Sequence, residues 1–335
     1  MKCTNKSKPR IVWMRTITAF SVILAMLVCT GCGKAVYDMP YTADSEVSSY
    51  RIVNIEENNG IAEPFASGLC VVDGDIEAEG VDMSRASGAA LFDINKGDTL
   101  YAKNVHEKLY PASLTKVLTA LVAMKNGSSD MKLTASANVR LQEPGAQVCG
   151  IKEGDQMTLN QALHLLLINS ANDAAVMIAE GIGGSLEGFA EMMNEEAKAL
   201  GATNSNFVNP HGLPDDKHYT TVYDLYLITN AAVKYQLFNE IIQMDSYTTV
   251  YYDKNGAEKE VSVNNTNAYI QGTVQAPGGV TVLGGKTGTT NAAGQCLVLV
   301  SRDSSSNPYI SIIMRSEGKD ALYEQMTDLL DEIVN

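Results

Sequence analysis

Metal-ligand spacing is missing from this chain. Its four histidines, His106, His164, His211 and His218, are scattered and form no H-E-x-x-H. Its six cysteines form no C-x-x-C and no Cys/His pattern, so the sequence offers no metal site and implies no cofactor. Basic charge is scarce as well: 25 Lys and Arg stand against 39 Asp and Glu, a net charge of −14. A body that acidic excludes nucleic acid as a partner. No internal repeat is visible. What is present is an ordinary globular composition, 45% apolar and 19% charged with mean hydropathy −0.06, over 335 residues, ample for a core.

One chargeless apolar run stands apart, Thr16 to Gly33, preceded by Lys2, Lys6, Lys8, Arg10 and Arg15. This is the charged and apolar pattern of an export signal, and it is also near the minimum for a retained membrane anchor. Cys29-Thr-Gly-Cys32-Gly resembles a bacterial lipobox, which makes Cys32 a candidate for lipidation; Cys29 stands where such sites usually have Leu. Lipoprotein, cleaved signal and retained anchor all place the body outside the cytoplasm. Removing residues 1–31 takes the charge from −14 to −19. Residues 33–85 then read as a tether, polar through Glu56-Glu-Asn-Asn-Gly60, with Ala66 to Val72 apolar enough to pack as an extra strand. Three body cysteines, Cys70, Cys149 and Cys296, cannot all pair with one another, and Cys149 and Cys296 read as core residues.

From 86 onward the pattern is regular. Ala89–Asp93 and Thr99–Lys103 read as strands around the turn Asn95-Lys-Gly-Asp98. Pro111 then opens a helix whose apolar face is Leu114, Val117, Leu118 and Leu121, with Gly127 as its stop. Residues 128–231 are mostly helical. Thr158-Leu-Asn-Gln161 is a capping box, the helical signal breaks at Asn169-Ser-Ala-Asn172, and Gly181 reads as the next stop. Ser185 and Thr221 open two more helices around the turn-rich loop Asn209-Pro-His-Gly-Leu-Pro214. Strands return at 248–252 and 259–263 around Asn255-Gly256, then at 279–289, 296–300 and 309–313, and Leu322, Met326, Leu329, Leu330 and Ile333 make the apolar face of a last helix. The order implies an α+β fold, an antiparallel sheet flanked by helices with an inserted helical subdomain and a cleft between the two.

Two polar residues interrupt the apolar frame after Pro111: Ser113 and Lys116. Three residues apart on a helix, they share a face. A serine hydroxyl needs a neighbouring base, and a lysine is a base only when burial or nearby positive charge keeps it neutral. Downstream come Ser170-Ala-Asn172 and Lys286-Thr-Gly288. Each triplet is weak alone, and the three in this order are a strong signal.

With Tyr110-Pro-Ala-Ser-Leu-Thr-Lys116, Asn169-Ser-Ala-Asn-Asp-Ala-Ala175, Asn209-Pro-His-Gly-Leu213 and Gly284-Gly-Lys-Thr-Gly288, the chain resembles the serine penicillin-recognising enzymes. It is most similar among them to the low-molecular-mass D-alanyl-D-alanine carboxypeptidases, over about residues 86–335. The resemblance implies a β-lactamase/transpeptidase-like fold and hydrolysis of the bond between two D-alanines of a peptidoglycan stem peptide, with β-lactams as acylating inhibitors. It implies Ser113 as nucleophile, Lys116 as its base and Ser170 as proton relay to the leaving amine. Asn172 would hold the substrate backbone and Lys116. Lys286 and Thr287, followed by Gly288, would take the terminal carboxylate. The N–H groups of Ser113 and Thr289 would form an oxyanion hole, worth ~3 kcal/mol per donor. His211 lies in a family motif, where a structural loop role competes with a catalytic one. Many relatives add a β-rich domain and a C-terminal amphipathic anchor. Here the chain runs 47 residues past Gly288, room for the rest of the sheet and its last helix, and the N-terminal anchor would replace the C-terminal one.

Two other readings follow from the same motifs. A class A β-lactamase needs a glutamate to activate the deacylating water, and residues 202–212, Ala-Thr-Asn-Ser-Asn-Phe-Val-Asn-Pro-His-Gly, contain none. A non-enzymatic wall-binding or sensor module would keep the acylation site without peptidase work, yet no motif residue is lost.

Overall fold

In the computed structural model, residues 68–334 are described. The export segment, Cys32 and the tether as far as residue 67 lie outside them. β1 (Ala86–Asp93) and β2 (Asp98–Lys103) form the expected first hairpin, and the chain then turns through a short 3-10 segment, Ala112–Leu114, into α1 (Thr115–Asn126). After these come β3 (Lys132–Thr134), β4 (Gln156–Thr158), α2 (Leu159–Ile168), α3 (Asn172–Gly183), α4 (Leu186–Ala199), α5 (Val222–Ala232) and α6 (Gln236–Ile242). The chain closes with β5 (Ser246–Tyr252), β6 (Glu258–Asn264), β7 (Thr281–Thr290), β8 (Gly294–Arg302), β9 (Pro308–Ser316) and α7 (Lys319–Asp331).

Five strands make one antiparallel sheet in the order β2-β1-β9-β8-β7. Successive side chains on a strand point to opposite faces, and here both faces are covered. Leu297 and Leu299 of β8 therefore pack with Leu322, Met326 and Leu330 of α7. Cys296, Val298 and Val300 turn to the other face and join the helical core. That second face meets α5, where Phe92 stacks on Tyr226 with centroids 4.1 Å apart. Cys70 and Val72 are buried there too, and Ile76 makes a single β bridge with Ala102, so the segment before β1 packs on the sheet without forming a strand of its own.

α1 is buried nearly all round, from Thr115 to Ala123, which marks it as a central rather than a surface helix. The capping box forms at Thr158 and Gln161. Two expectations change. The stop of α3 is Gly184, in the left-handed region at φ 72°, not Gly181. Gly181 stays helical, and its missing side chain makes room for Leu133, whose Cδ2 would lie 2.4 Å from a Cβ there. The hairpin β5–β6 does not join the main sheet either. It pairs with β4, and β4 with β3, in a separate four-stranded sheet, β3-β4-β5-β6, beside the helices. The mostly helical segment 128–231 therefore also carries two short strands.

Candidate active site

The 3-10 turn presents Ser113 at the mouth of a cleft of about 380 Å³ between the sheet and the helices. The backbone there is strained: Ala112, just before the serine, has φ 47°. Non-glycine residues occupy that region only where the surroundings hold them. One turn on, Lys116 is fully buried and its Nζ donates to Ser113 Oγ at 2.9 Å, to Asn172 Oδ1 at 2.6 Å and to the His211 carbonyl at 2.7 Å. Its three hydrogens thus have three acceptors and no carboxylate among them. Burial holds the Lys116 ammonium well below the ordinary lysine range, the positive charge of Lys286 pushes it further down, and Asp173 opposes both.

Asn172 and Ser170 come from the break between α2 and α3. Ser170 has φ 64°, which ends one helix and lets the next begin within two residues, and it lines the cleft. Asp173, one residue into α3, accepts from the N–H groups of Cys149, Gly150 and Ile151 at 2.9–3.2 Å, fixing the loop before β4. That loop brings Gly145, Ala146 and Gln147 to the cleft.

The opposite wall is β7. Gly288 passes so close to the serine turn that a Cβ would lie 3.0 Å from Ser113 N and 3.1 Å from the Pro111 carbonyl. Lys286 is buried, donates to the Thr287 carbonyl at 2.7 Å, and is pushed down to about 7 by burial. Thr287 Oγ1 lies 2.5 Å from Thr266 Oγ1, and Thr289 donates to Gln295 Oε1 at 2.6 Å. The structure therefore brings Ser113, Ser170, Asn172, Thr287, Gly288 and Thr289 to one cleft, with Lys116 and Lys286 buried beneath it.

His211 also lines the cleft. Its Nδ1 accepts from Leu213 N at 3.2 Å, and burial pushes its imidazolium form down to about 3. Its carbonyl, not its ring, is what meets Lys116. Sequence reasoning missed Gln147, Thr266, Gln295, Lys319 and Tyr323. Only Thr266 carried a hint, the polar run Asn264-Asn-Thr-Asn267 beside a strand. Among the described residues, no aspartate or glutamate lines the cleft and no cluster of His, Cys, Asp and Glu has the form of a metal site.

A five-stranded antiparallel sheet with helices on both faces, and a serine and a fully buried lysine at the seam, is the transpeptidase/β-lactamase fold of the penicillin-binding proteins. The crystal structure of a Streptomyces DD-transpeptidase matches with a TM-score of 0.69 and 26% identity, covering 75% of this chain and 97% of that one. Residues 76–318 match the family model described as D-alanyl-D-alanine carboxypeptidase, and the chain belongs to that family. Among curated relatives it is 33% identical over 252 residues to the D-alanyl-D-alanine carboxypeptidase DacF of Bacillus subtilis, covering 73% of this chain and 61% of that one. It is 32% identical over 243 residues to DacB2 of Mycobacterium tuberculosis, covering 71% and 79%. The chain spans between 55% and 61% of the length of DacF, DacA of Haemophilus influenzae and DacC of Escherichia coli.

Proposed function

We propose that this chain is a serine-type D-Ala-D-Ala carboxypeptidase that removes the terminal D-alanine from peptidoglycan stem peptides through an acyl-serine intermediate. The observation that carries the reading is the 2.9 Å contact between Ser113 Oγ and the ammonium position of a lysine with no exposed surface. Burial and the charge of Lys286 disfavour the ammonium form of Lys116, and in its neutral form, with a lone pair toward Ser113, it accepts the serine proton as Oγ attacks the carbonyl between the two D-alanines. Charge developing on the carbonyl oxygen falls to the N–H groups of Ser113 and Thr289. Ser170, at the mouth of the α2–α3 break, passes a proton to the departing amine. Asn172 orients Lys116 and the substrate backbone. Lys286, lowered to about 7, gains its proton as the substrate carboxylate arrives beside Thr287.

The absence of a cleft carboxylate among the described residues supports slow deacylation of a bulky penicilloyl group, since nothing of that kind activates water there. β-Lactams are thus inhibitors rather than substrates. For localisation, no helix among the described residues is long and apolar enough to cross a membrane. Thr30-Gly-Cys-Gly33 supports an extracytoplasmic enzyme tethered by a lipid on Cys32. A Cys32→Ala protein released from membranes, against a lipidated wild type, tests that tether.

The central test is intact mass over time on residues 33–335 with benzylpenicillin, beside release of D-alanine from a peptide ending in D-Ala-D-Ala. A lasting adduct of the drug's mass, absent in Ser113→Ala, and released D-alanine are expected. Rapid loss of the adduct with drug hydrolysis would make the chain a β-lactamase. An adduct without D-alanine release would leave a sensor or wall-binding module.

A further inference from the structure

His218 is buried and touches Thr115, the first residue of α1, directly after the turn that carries the nucleophile. Its Nδ1 accepts from Val208 N at 3.1 Å. A backbone N–H only donates, so Nδ1 carries no proton and the neutral ring carries its proton on Nε2. Nε2 lies 2.8 Å from Thr115 Oγ1, and the direction of that bond is then fixed: the ring donates to the threonine. Thr115 in turn spends its hydroxyl hydrogen on the Ala112 carbonyl at 2.8 Å. The chain of donors ends on the one peptide whose other end is the Ser113 N–H.

In a trans peptide, C=O and N–H point in opposite directions. A carbonyl pulled toward Thr115 therefore aims the Ser113 N–H the other way. Gly212 closes over the same oxygen: a Cβ there would lie 1.8 Å from Ala112 O, and its φ of 85° suits glycine alone. Ala112 sits at φ 47°, and its carbonyl accepts from both the hydroxyl and the backbone N–H of Thr115.

We infer that His218 and Thr115 form a brace that orients the Ala112–Ser113 peptide, and with it the oxyanion-binding N–H of Ser113. The inference rests on the function proposed above. Both are positioning residues, acting through the backbone rather than touching substrate. The groups around the ring are consistent with a fixed donor. Burial, with the positive charge of Lys116 and against Asp215, holds its imidazolium form down to about 4, and the edge of Phe207 packs at 5.5 Å between centroids. The ring thus keeps its acceptor for Val208 through neutral pH.

The test is the rate of acylation by benzylpenicillin per active site, titrated by mass, in Thr115→Val, Thr115→Ser and His218→Phe, together with the affinity of each for a boronic acid. A boronate forms a tetrahedral adduct on serine and uses the oxyanion site; a weak ground-state peptide ligand does not. Thr115→Val misaligns the donor without removing it, so it is expected to lower the acylation rate about 10- to 100-fold, below or at the lower edge of the roughly 100- to 1000-fold loss for outright removal of an oxyanion donor, and to weaken the boronate by a similar factor with little change in peptide binding. Thr115→Ser is expected to restore both, and His218→Phe to shift both in the same direction by less. A merely structural role would lower the melting temperature and the active fraction but not the rate per active site. Should Thr115→Val lose its folded population, the other two variants carry the comparison. Wild-type rates per site in Thr115→Val and His218→Phe, or slowed acylation with unchanged boronate affinity, would overturn the brace. A wild type that is not acylated at Ser113 would instead overturn the proposed function, and the brace with it.

Discussion

Replacing Lys286 with methionine is expected to make the protein more stable and less active at neutral pH, with the gain shrinking as pH rises. Lys286 is buried, and burial moves its ammonium from 10.5 to about 7. Below pH 7 both folded and unfolded chains carry the proton, and folding bears the whole cost of burying a charge. At 1.36 kcal/mol for each tenfold change, that cost is about 5 kcal/mol. Between 7 and 10.5 the unfolded state binds more protons than the folded one, so stability rises with pH, and above 10.5 the cost is gone. Integrated over a single site, the penalty falls by about 2 kcal/mol between pH 7 and pH 9. Methionine keeps the volume at a cost below about 1.5 kcal/mol. The Thr287 carbonyl loses a donor at 2.7 Å, worth about 1 kcal/mol. Lys286→Met is therefore expected to gain about 2–3 kcal/mol at pH 7 and close to nothing at pH 9. Urea unfolding of both proteins at pH 7, 8 and 9 measures the gap directly: titrating groups not coupled to Lys286 cancel in the difference, and Lys116, which the charge of Lys286 pushes down, adds to the slope in the same direction. A gap that stays flat across that range, or a variant less stable at pH 7, refutes the reasoning.

Three other outcomes are expected. Gly212→Ala places a Cβ 1.8 Å from the Ala112 carbonyl at φ 85°, and is expected to lose about 2–5 kcal/mol from overpacking and backbone strain; a loss under about 1 kcal/mol by chemical denaturation would contradict the close approach. Asp173→Ala strips the acceptor from four backbone N–H groups, those of Cys149, Gly150, Ile151 and Ala174, so about 3–4 kcal/mol of destabilisation is expected with faster hydrogen exchange at Gly150 and Ile151. Phe92→Ala removes the ring stacked on Tyr226, neither of which lines the cleft, and thermal melts are expected to report a loss of about 3–5 kcal/mol while the acylation rate per active site stays at the wild-type value.

What the sequence disclosed depended on the range of the signal. Ser113 and Lys116 were legible because one helical turn joins them, and Thr158 with Gln161 because a capping box is local. β7, β8 and β9 stood out as continuous apolar or glycine-rich runs. β3 and β4 did not, since three residues each give no period to read, and without them nothing signalled that the β5–β6 hairpin belongs to a separate sheet. Gly181 looked like a helix stop because glycine ends helices. Its actual constraint is Leu133, 48 positions earlier in the chain. The His218–Thr115 contact spans 103 residues and leaves no trace in either neighbourhood. The lysine and asparagine positions could be paired from their motifs, but the part of His211 that meets Lys116 could not, because a carbonyl has no side-chain signature.

The glycines of β7 set an electrostatic property of a residue they do not touch through any charge. Gly284, Lys286 and Gly288 alternate along one face of the strand. A Cβ at Gly284 would lie 2.4 Å from the Ile242 carbonyl, and one at Gly288 would lie 3.0 Å from Ser113 N. The backbones on either side of Lys286 approach this closely because both neighbours on its face lack side chains, and Lys286 between them is buried. The acidity of the lysine is in this sense written in the spacing of two hydrogen-only side chains. A methyl group at either position would hold the walls apart and wet the ammonium, moving its pKa back toward that of a surface lysine with no change in any ionisable group.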